Sequence, residues 1–101
     1  MTLLTNWNNE IRFEVADDHF ERPMQVRDVR AIVTRAFDQH QRVTVIGAMH
    51  STIEYIVGIG IVISMENMAH VLPVDREGLT ITVEGGVTLR QLGAYLRELG
   101  L

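Results

Sequence analysis

The chain has 101 residues, 47% of them hydrophobic and 22% charged, with a formal net charge of -4. A chain of this size hides roughly 60–70% of its extended surface on folding, enough for one core and no more. With no cysteine, disulfide frameworks, thiolate metal sites and cysteine nucleophiles are excluded, and an acidic balance without a basic stripe argues against a nucleic-acid partner.

The first segment, MTLLTNWNNE, lacks the basic region and long apolar core of a signal peptide, which makes the cytoplasm the default compartment. Trp7 within it reads as a packing anchor. In DDHF, His19 follows Asp17 and Asp18. Adjacent residues on an extended chain point to opposite faces, so a solvated turn suits this stretch better than a metal site.

Val26, Val29, Val33 and Ala36/Phe37 recur at helical spacing with Ile32 beside them, and Pro23 stands just ahead. This predicts a helix from about Val26 to His40. Arg27, Arg30 and Arg35 fall between the apolar positions and form its wet face. His40, at the helix end, suits the negative pole of the helix dipole. RVTVIG then predicts a β-branched strand from Arg42 to Ile46, ended by Gly47, and GIVIS a second strand from Gly60 to Ser64.

Ile53 to Ser64 is the most apolar run, yet it contains Glu54, Gly58 and Gly60. It falls short of the ~18–20 residues needed to span a bilayer, so no membrane span is expected. Met65 and Met68, in SMENM, read as packing between layers. HVLPVD and LTITVEGG predict two further strands, His70 to Asp75 and Leu79 to Gly85, joined by the DREG turn with Gly78 able to take a positive φ. Pro73 confines the first of them to an edge or a bulge. His70 is expected to be exposed, and Glu84 to face solvent at a strand end.

Thr88 and Gln91 have the spacing of a capping box. Behind them Leu89, Leu92, Leu96 and Leu99 should line one helical face, with Gly100 as the stop. Helix, strand, loop, strand, hairpin, helix is an α+β order. It should form a small mixed sheet flanked by helices, a thin layer with one sheet face left uncovered and open to association.

The stretch VIGAMHST poses the functional question. A strand ending at Gly47 leaves successive backbone N–H groups free to form an anion-binding nest, and Ser51 and Thr52 add hydroxyl donors. Neither a lysine-containing phosphate loop nor the G-x-G-x-x-G fingerprint is present. A diphosphate held by amides and hydroxyls without hydrolysis fits what remains.

Asn6–Trp7, Arg22–Pro23, the helix, VIGAMHS, ISMENM, HVLPVDREGLTITVEGGVTLRQL and LRELG stand in one order along nearly the whole chain. In that order they resemble the N-terminal half of the FAD-binding domain of the vanillyl-alcohol-oxidase/p-cresol-methylhydroxylase type. Within it, they are similar to the sugar-lactone oxidases, such as gulonolactone and arabinonolactone oxidases. The resemblance implies that residues 1–101 are the first lobe of that domain, with the second lobe and the substrate cap domain outside them.

It further implies that Gly47, Ala48, Met49, His50 and Ser51 lie under the FAD pyrophosphate, with Thr52 and Ile53 continuing beside the cofactor. His50 matches the histidine joined covalently to the flavin in many members. Such a link raises the flavin's reduction potential and favours taking hydride from a carbon bearing a hydroxyl. Gly85–Gly86 match a glycine turn before the capping-box helix. One departure is Met49, where the family usually carries glycine. A positive φ there costs a methionine about 1 kcal/mol or more.

The resemblance therefore implies an FAD-dependent oxidoreductase acting on a sugar lactone or related alcohol, and no acid–base pair of its own is evident in these 101 residues. The alternatives are a non-catalytic flavin- or nucleotide-binding half completed by another chain, and an interaction domain that kept the fold and lost the ligand.

Overall fold

A computed structural model describes residues 1–47 and 60–101. Strands β1 (Thr2–Thr5) and β2 (Arg12–Val15) form an antiparallel hairpin, with Thr2 opposite Val15 and Thr5 opposite Arg12. A short 3₁₀ turn, Asp17–His19, leads into β3 (Phe20–Glu21). Helix α1 (Val26–Asp38) then crosses to β4 (Val43–Ile46). β5 (Ile61–Ser64) lies between β3 and β4 and runs parallel to both. Helix α2 (Leu89–Glu98) comes last.

The central strand β5 is buried along its whole length because both faces of its sheet are covered. On one face Ile61 and Ile63 pack with Ile32 and Ala36 of α1, flanked by Val43 and Met65. On the other, Val62 packs with Ile46 and with Val15 of the N-terminal hairpin, flanked by Leu4, Phe13 and Phe20. Two covered faces are why IVIS reads as a continuous apolar run rather than an alternating one.

The expectation of an uncovered sheet face is therefore corrected: the β1–β2 hairpin, unseen in the sequence reading, fills that position. The α+β architecture stands, with parallel and antiparallel pairings divided between two sheets. Exposed apolar surface lies elsewhere, at Val26, Val33 and Phe37 on α1 and at Leu79, Leu89 and Leu101 towards the other end of the chain.

Other corrections are local. Trp7, expected as a packing anchor, is 62% exposed at the tip of the hairpin. Helix α1 stops at Asp38, before His40. His40 instead takes a left-handed conformation, φ 54°. Its N–H donates to Phe37 O at 3.2 Å and that of Gln41 to Ala36 O at 2.9 Å. This is the Schellman arrangement that satisfies the last helical carbonyls. Helix α2 ends the same way, with Gly100 at φ 74° and Leu101 N–H on Leu96 O at 2.8 Å.

The segments expected as strands at 70–75 and 79–85 pair only at isolated bridges, Val71 with Val83 and Asp75 with Thr80. Pro73, between them, has no N–H to donate to a continuous ladder. In the connecting turn Leu79, not Gly78, carries the positive φ. Gly78 N–H donates to Asp75 Oδ1 at 2.9 Å, which holds it on the other side of the turn. The result is a slab of 45 × 33 × 18 Å with a radius of gyration of 15.8 Å. A compact domain of this length has about 13 Å.

Candidate functional site

Parallel strands put their C-terminal ends on one side, and in such sheets ligands bind outside those ends. Here that edge is formed by Gly47 after β4 and by Ser64 to Glu66 at the end of β5. Facing it is the N-terminus of α2. Two adjoining cavities, about 530 Å³ and 340 Å³, share Gly47, Gly86 and Thr88. Leu89 and Arg90 line the first, while Ser64, Glu66 and Gln91 line the second.

The start of α2 is locally determined. Thr88 Oγ1 accepts from Gln91 N–H at 3.1 Å, and Gln91 Oε1 accepts from Thr88 N–H at 2.9 Å. This reciprocal cap sets the first turn where the sequence expected it. Leu89 and Arg90, at the first two helical positions, where a backbone N–H has no intrahelical acceptor, both line the cavity. Leu89 is 86% exposed there, so it stands apart from Leu92, Leu96 and Leu99, which are half-buried.

Two glycines shape the cleft for different reasons. A Cβ on Gly86 would lie 1.8 Å from Met65 O and 2.7 Å from Met68 O, so the turn can sit on this chain segment only as glycine. Gly86 N–H donates to Met68 O at 2.8 Å. Met68 is buried, as a residue between layers should be. At Gly47 a Cβ would meet nothing within 4 Å among the described residues.

Charge in the cleft is mixed. Glu66 is paired with Arg22 at 3.6 Å, both more than half exposed, and the Arg22 guanidinium also lies over the Phe20 ring. Arg90 and the helix N-terminus supply positive potential. An anion is favoured by free amides and the dipole at such a terminus.

Of the expected cofactor residues, Gly47 lies in the cleft. Ala48, Met49, His50, Ser51, Thr52 and Ile53 fall outside the described residues. Gly85 and Gly86 join Gly47 at the cleft, and so do Thr88, Leu89, Arg90 and Gln91. The sequence signal for the last four was the capping box itself, since a capped helix following a glycine turn presents free amides. His19 ends the 3₁₀ turn, where Asp17 takes the Thr2 hydroxyl at 2.8 Å. No group of three or more metal-ligating side chains converges among the described residues. His70 is exposed as expected, whereas Glu84 has its side chain only 22% exposed and binds His70.

A separate groove of about 310 Å³ between the 75–80 turn and α2 is walled mainly by Val74, Leu79, Ile81, Leu96 and Leu101. Asp75, Arg76 and Thr80 complete its rim.

Residues 18–101 match the FAD binding domain family. The chain belongs to this family. Mouse L-gulonolactone oxidase is 32% identical over 96 residues, which is 95% of this chain and 21% of that protein. The bovine L-gulonolactone oxidase is 38% identical over 80 residues, 79% of this chain and 18% of its own length. A Mycobacterium tuberculosis L-gulono-1,4-lactone dehydrogenase is 33% identical over 99 residues, 96% of this chain and 23% of that protein. The chain thus spans about a fifth of the length of these relatives.

The cleft residues fit FAD as the ligand. Beside Gly47, the backbone amides at the start of α2 and the Arg90 guanidinium are donors of the kind a pyrophosphate accepts from, and Leu89 offers apolar surface beside them. No described helix is long and apolar enough to cross a membrane.

Proposed function

We propose that this chain supplies the first lobe of the FAD site in an FAD-dependent oxidoreductase that oxidises a sugar lactone or a related alcohol. The observation that carries the reading is the cleft in which Gly47, the Gly85–Gly86 turn and the capped start of α2 meet. The names of the relatives, lactone oxidases and a lactone dehydrogenase, support the substrate class.

In this reading the backbone amides after β4 and at the start of α2 hold the pyrophosphate. Arg90 balances its charge, and Arg22 pairs with the Glu66 carboxylate at the cleft. Ala48, Met49, Ser51, Thr52 and Ile53 continue the cradle, and His50 forms the covalent link. These residues would hold FAD, which would supply a hydride acceptor for oxidation of a carbon bearing a hydroxyl. The second lobe and the cap domain, with the residues that select the substrate, belong to chain outside residues 1–101.

The test is the intact mass of the denatured protein purified from its own cells. A mass increased by one FAD, and restored to the bare polypeptide by His50→Ala, is the expected result. Flavin that is released on denaturation would refute the covalent link and leave the cleft reading standing. Protein that neither carries nor takes up flavin would refute both.

A second reading, a partner-dependent half-domain without its own turnover, is favoured by the exposed Leu79, Leu89 and Leu101 and by the thin slab. Lactone turnover by residues 1–101 alone would exclude it.

A further inference from the structure

At Glu84 a side chain enters the ladder of the strand pair to which the residue belongs. Val71 bridges Val83 in antiparallel fashion, so His70 and Glu84 are the next opposed pair. In a regular ladder such a pair exchanges two backbone bonds. One of them is made: Glu84 N–H donates to His70 O at 2.9 Å. The other is replaced. His70 N–H donates to the Glu84 side chain, to Oε1 at 2.8 Å, and the His70 ring Nδ1 meets the same oxygen.

The backbone carbonyl of Glu84, released from the ladder, accepts from Val87 N–H at 3.1 Å. That bond closes a four-residue turn with Gly85 and Gly86 at its centre, one residue before the Thr88 cap. The carboxylate therefore decides where the ladder stops and where the glycine turn begins. A second instance occurs at the other end of the molecule. Asn6 Oδ1 accepts the ladder N–H of Ile11 at 3.0 Å, while Asn6 O accepts from Asn9 N–H at 3.1 Å. In both, a side-chain oxygen stands in for a carbonyl so that the carbonyl can close a turn. Asp75 shows the reverse, its carbonyl in the ladder with Thr80 and its carboxylate on the turn amide of Gly78.

We propose that Glu84 is a positioning residue of the cofactor cleft: by taking the His70 N–H on its side chain, it frees its own carbonyl to lock the Gly85–Gly86 turn, and so fixes the free amides at the start of α2 where they face Gly47. Glu84 does not line the cleft; it acts through the turn. This rests on the FAD-cleft reading above, and the test separates the two.

Hydrogen–deuterium exchange at the Val87 amide and FAD affinity are measured on the whole protein in a His50→Ala background, so that binding is reversible, with Glu84→Ala and Glu84→Gln added. Loss of a bond to a charged acceptor should speed Val87 exchange and weaken FAD binding about tenfold each in Glu84→Ala. Glu84→Gln retains an acceptor oxygen and should restore both. Unchanged exchange in Glu84→Ala would overturn the lock. Faster exchange with unchanged FAD affinity, or failure of Gln to rescue, would overturn the positioning role. If FAD binds none of the proteins, the cleft reading itself fails, while the exchange data still decide the lock.

Discussion

Gly86 sits so close to Met65 that a Cβ on it would lie 1.8 Å from the Met65 carbonyl oxygen. This contact seats the glycine turn on the end of β5 and brings α2 to the C-terminal edge of the parallel sheet. Gly86→Ala must displace one of the two backbones, and a loss of about 2 kcal/mol or more in unfolding free energy is expected. Urea denaturation followed by circular dichroism measures it. A midpoint equal to that of the unmodified protein would show that the turn is not seated in this way.

Gly47 should behave in the opposite manner. A Cβ there meets no atom of the described residues within 4 Å and the backbone is not in the left-handed region. Gly47→Ala should leave stability within about 0.5 kcal/mol. It should weaken FAD binding, because the methyl group occupies the opening through which a ligand approaches the backbone. Paired urea and flavin titrations separate the two glycines.

Removing the cap tests the start of α2. Thr88→Ala deletes the acceptor for Gln91 N–H and should destabilise the protein by about 1 kcal/mol. The exchange rate of the Gln91 amide, which donates to Thr88 Oγ1, should rise with it.

His40 occupies a left-handed position that glycine fills at the end of α2. His40→Gly should relieve strain that exceeds the added flexibility of the unfolded chain, raising stability by about 0.5 kcal/mol. A fall in thermal midpoint would mean that the ring makes a contact worth more than the strain.

The Glu84 carboxyl is held below the usual carboxylate range, first by the His70 N–H and then by the His70 ring, with partial burial opposing both. A depressed folded-state value means that the ionised form is favoured in the fold. The stability it contributes is complete above the unfolded value and is lost as pH falls through the folded one. Acidification below about pH 4 should therefore destabilise the unmodified protein more than Glu84→Gln, whose amide does not titrate. Urea midpoints at neutral and acidic pH give the comparison.

The legible features were those written in short stretches of chain. Thr88 and Gln91 are three residues apart, and the cap they form needs nothing beyond that turn. The periodicity of Val29, Ile32 and Ala36 likewise marked α1, although Val26, Val33 and Phe37 extend the apolar stripe past what the sheet covers. The N-terminal hairpin was hidden because its strands are four residues each and its turn is built by side chains of Asn6 and Asn8 on nearby amides. Without that hairpin one face of the sheet has no cover, and Trp7, at its tip, reads as a packing anchor. The interrupted strands around Pro73 and the role of Glu84 depend on which carbonyl a side chain replaces. Residue type alone does not carry that information.

We propose that FAD lies between the end of β4 and the start of α2. Hydrogen–deuterium exchange of the His50→Ala protein with and without added FAD tests it most directly. Slower exchange on FAD addition at Gly47 and from Gly85 to Arg90, with the hairpin around Asp75 and Thr80 unchanged, is the predicted result. Protection confined to the groove between the 75–80 turn and the end of α2, or absent from residues 85–90, would contradict it.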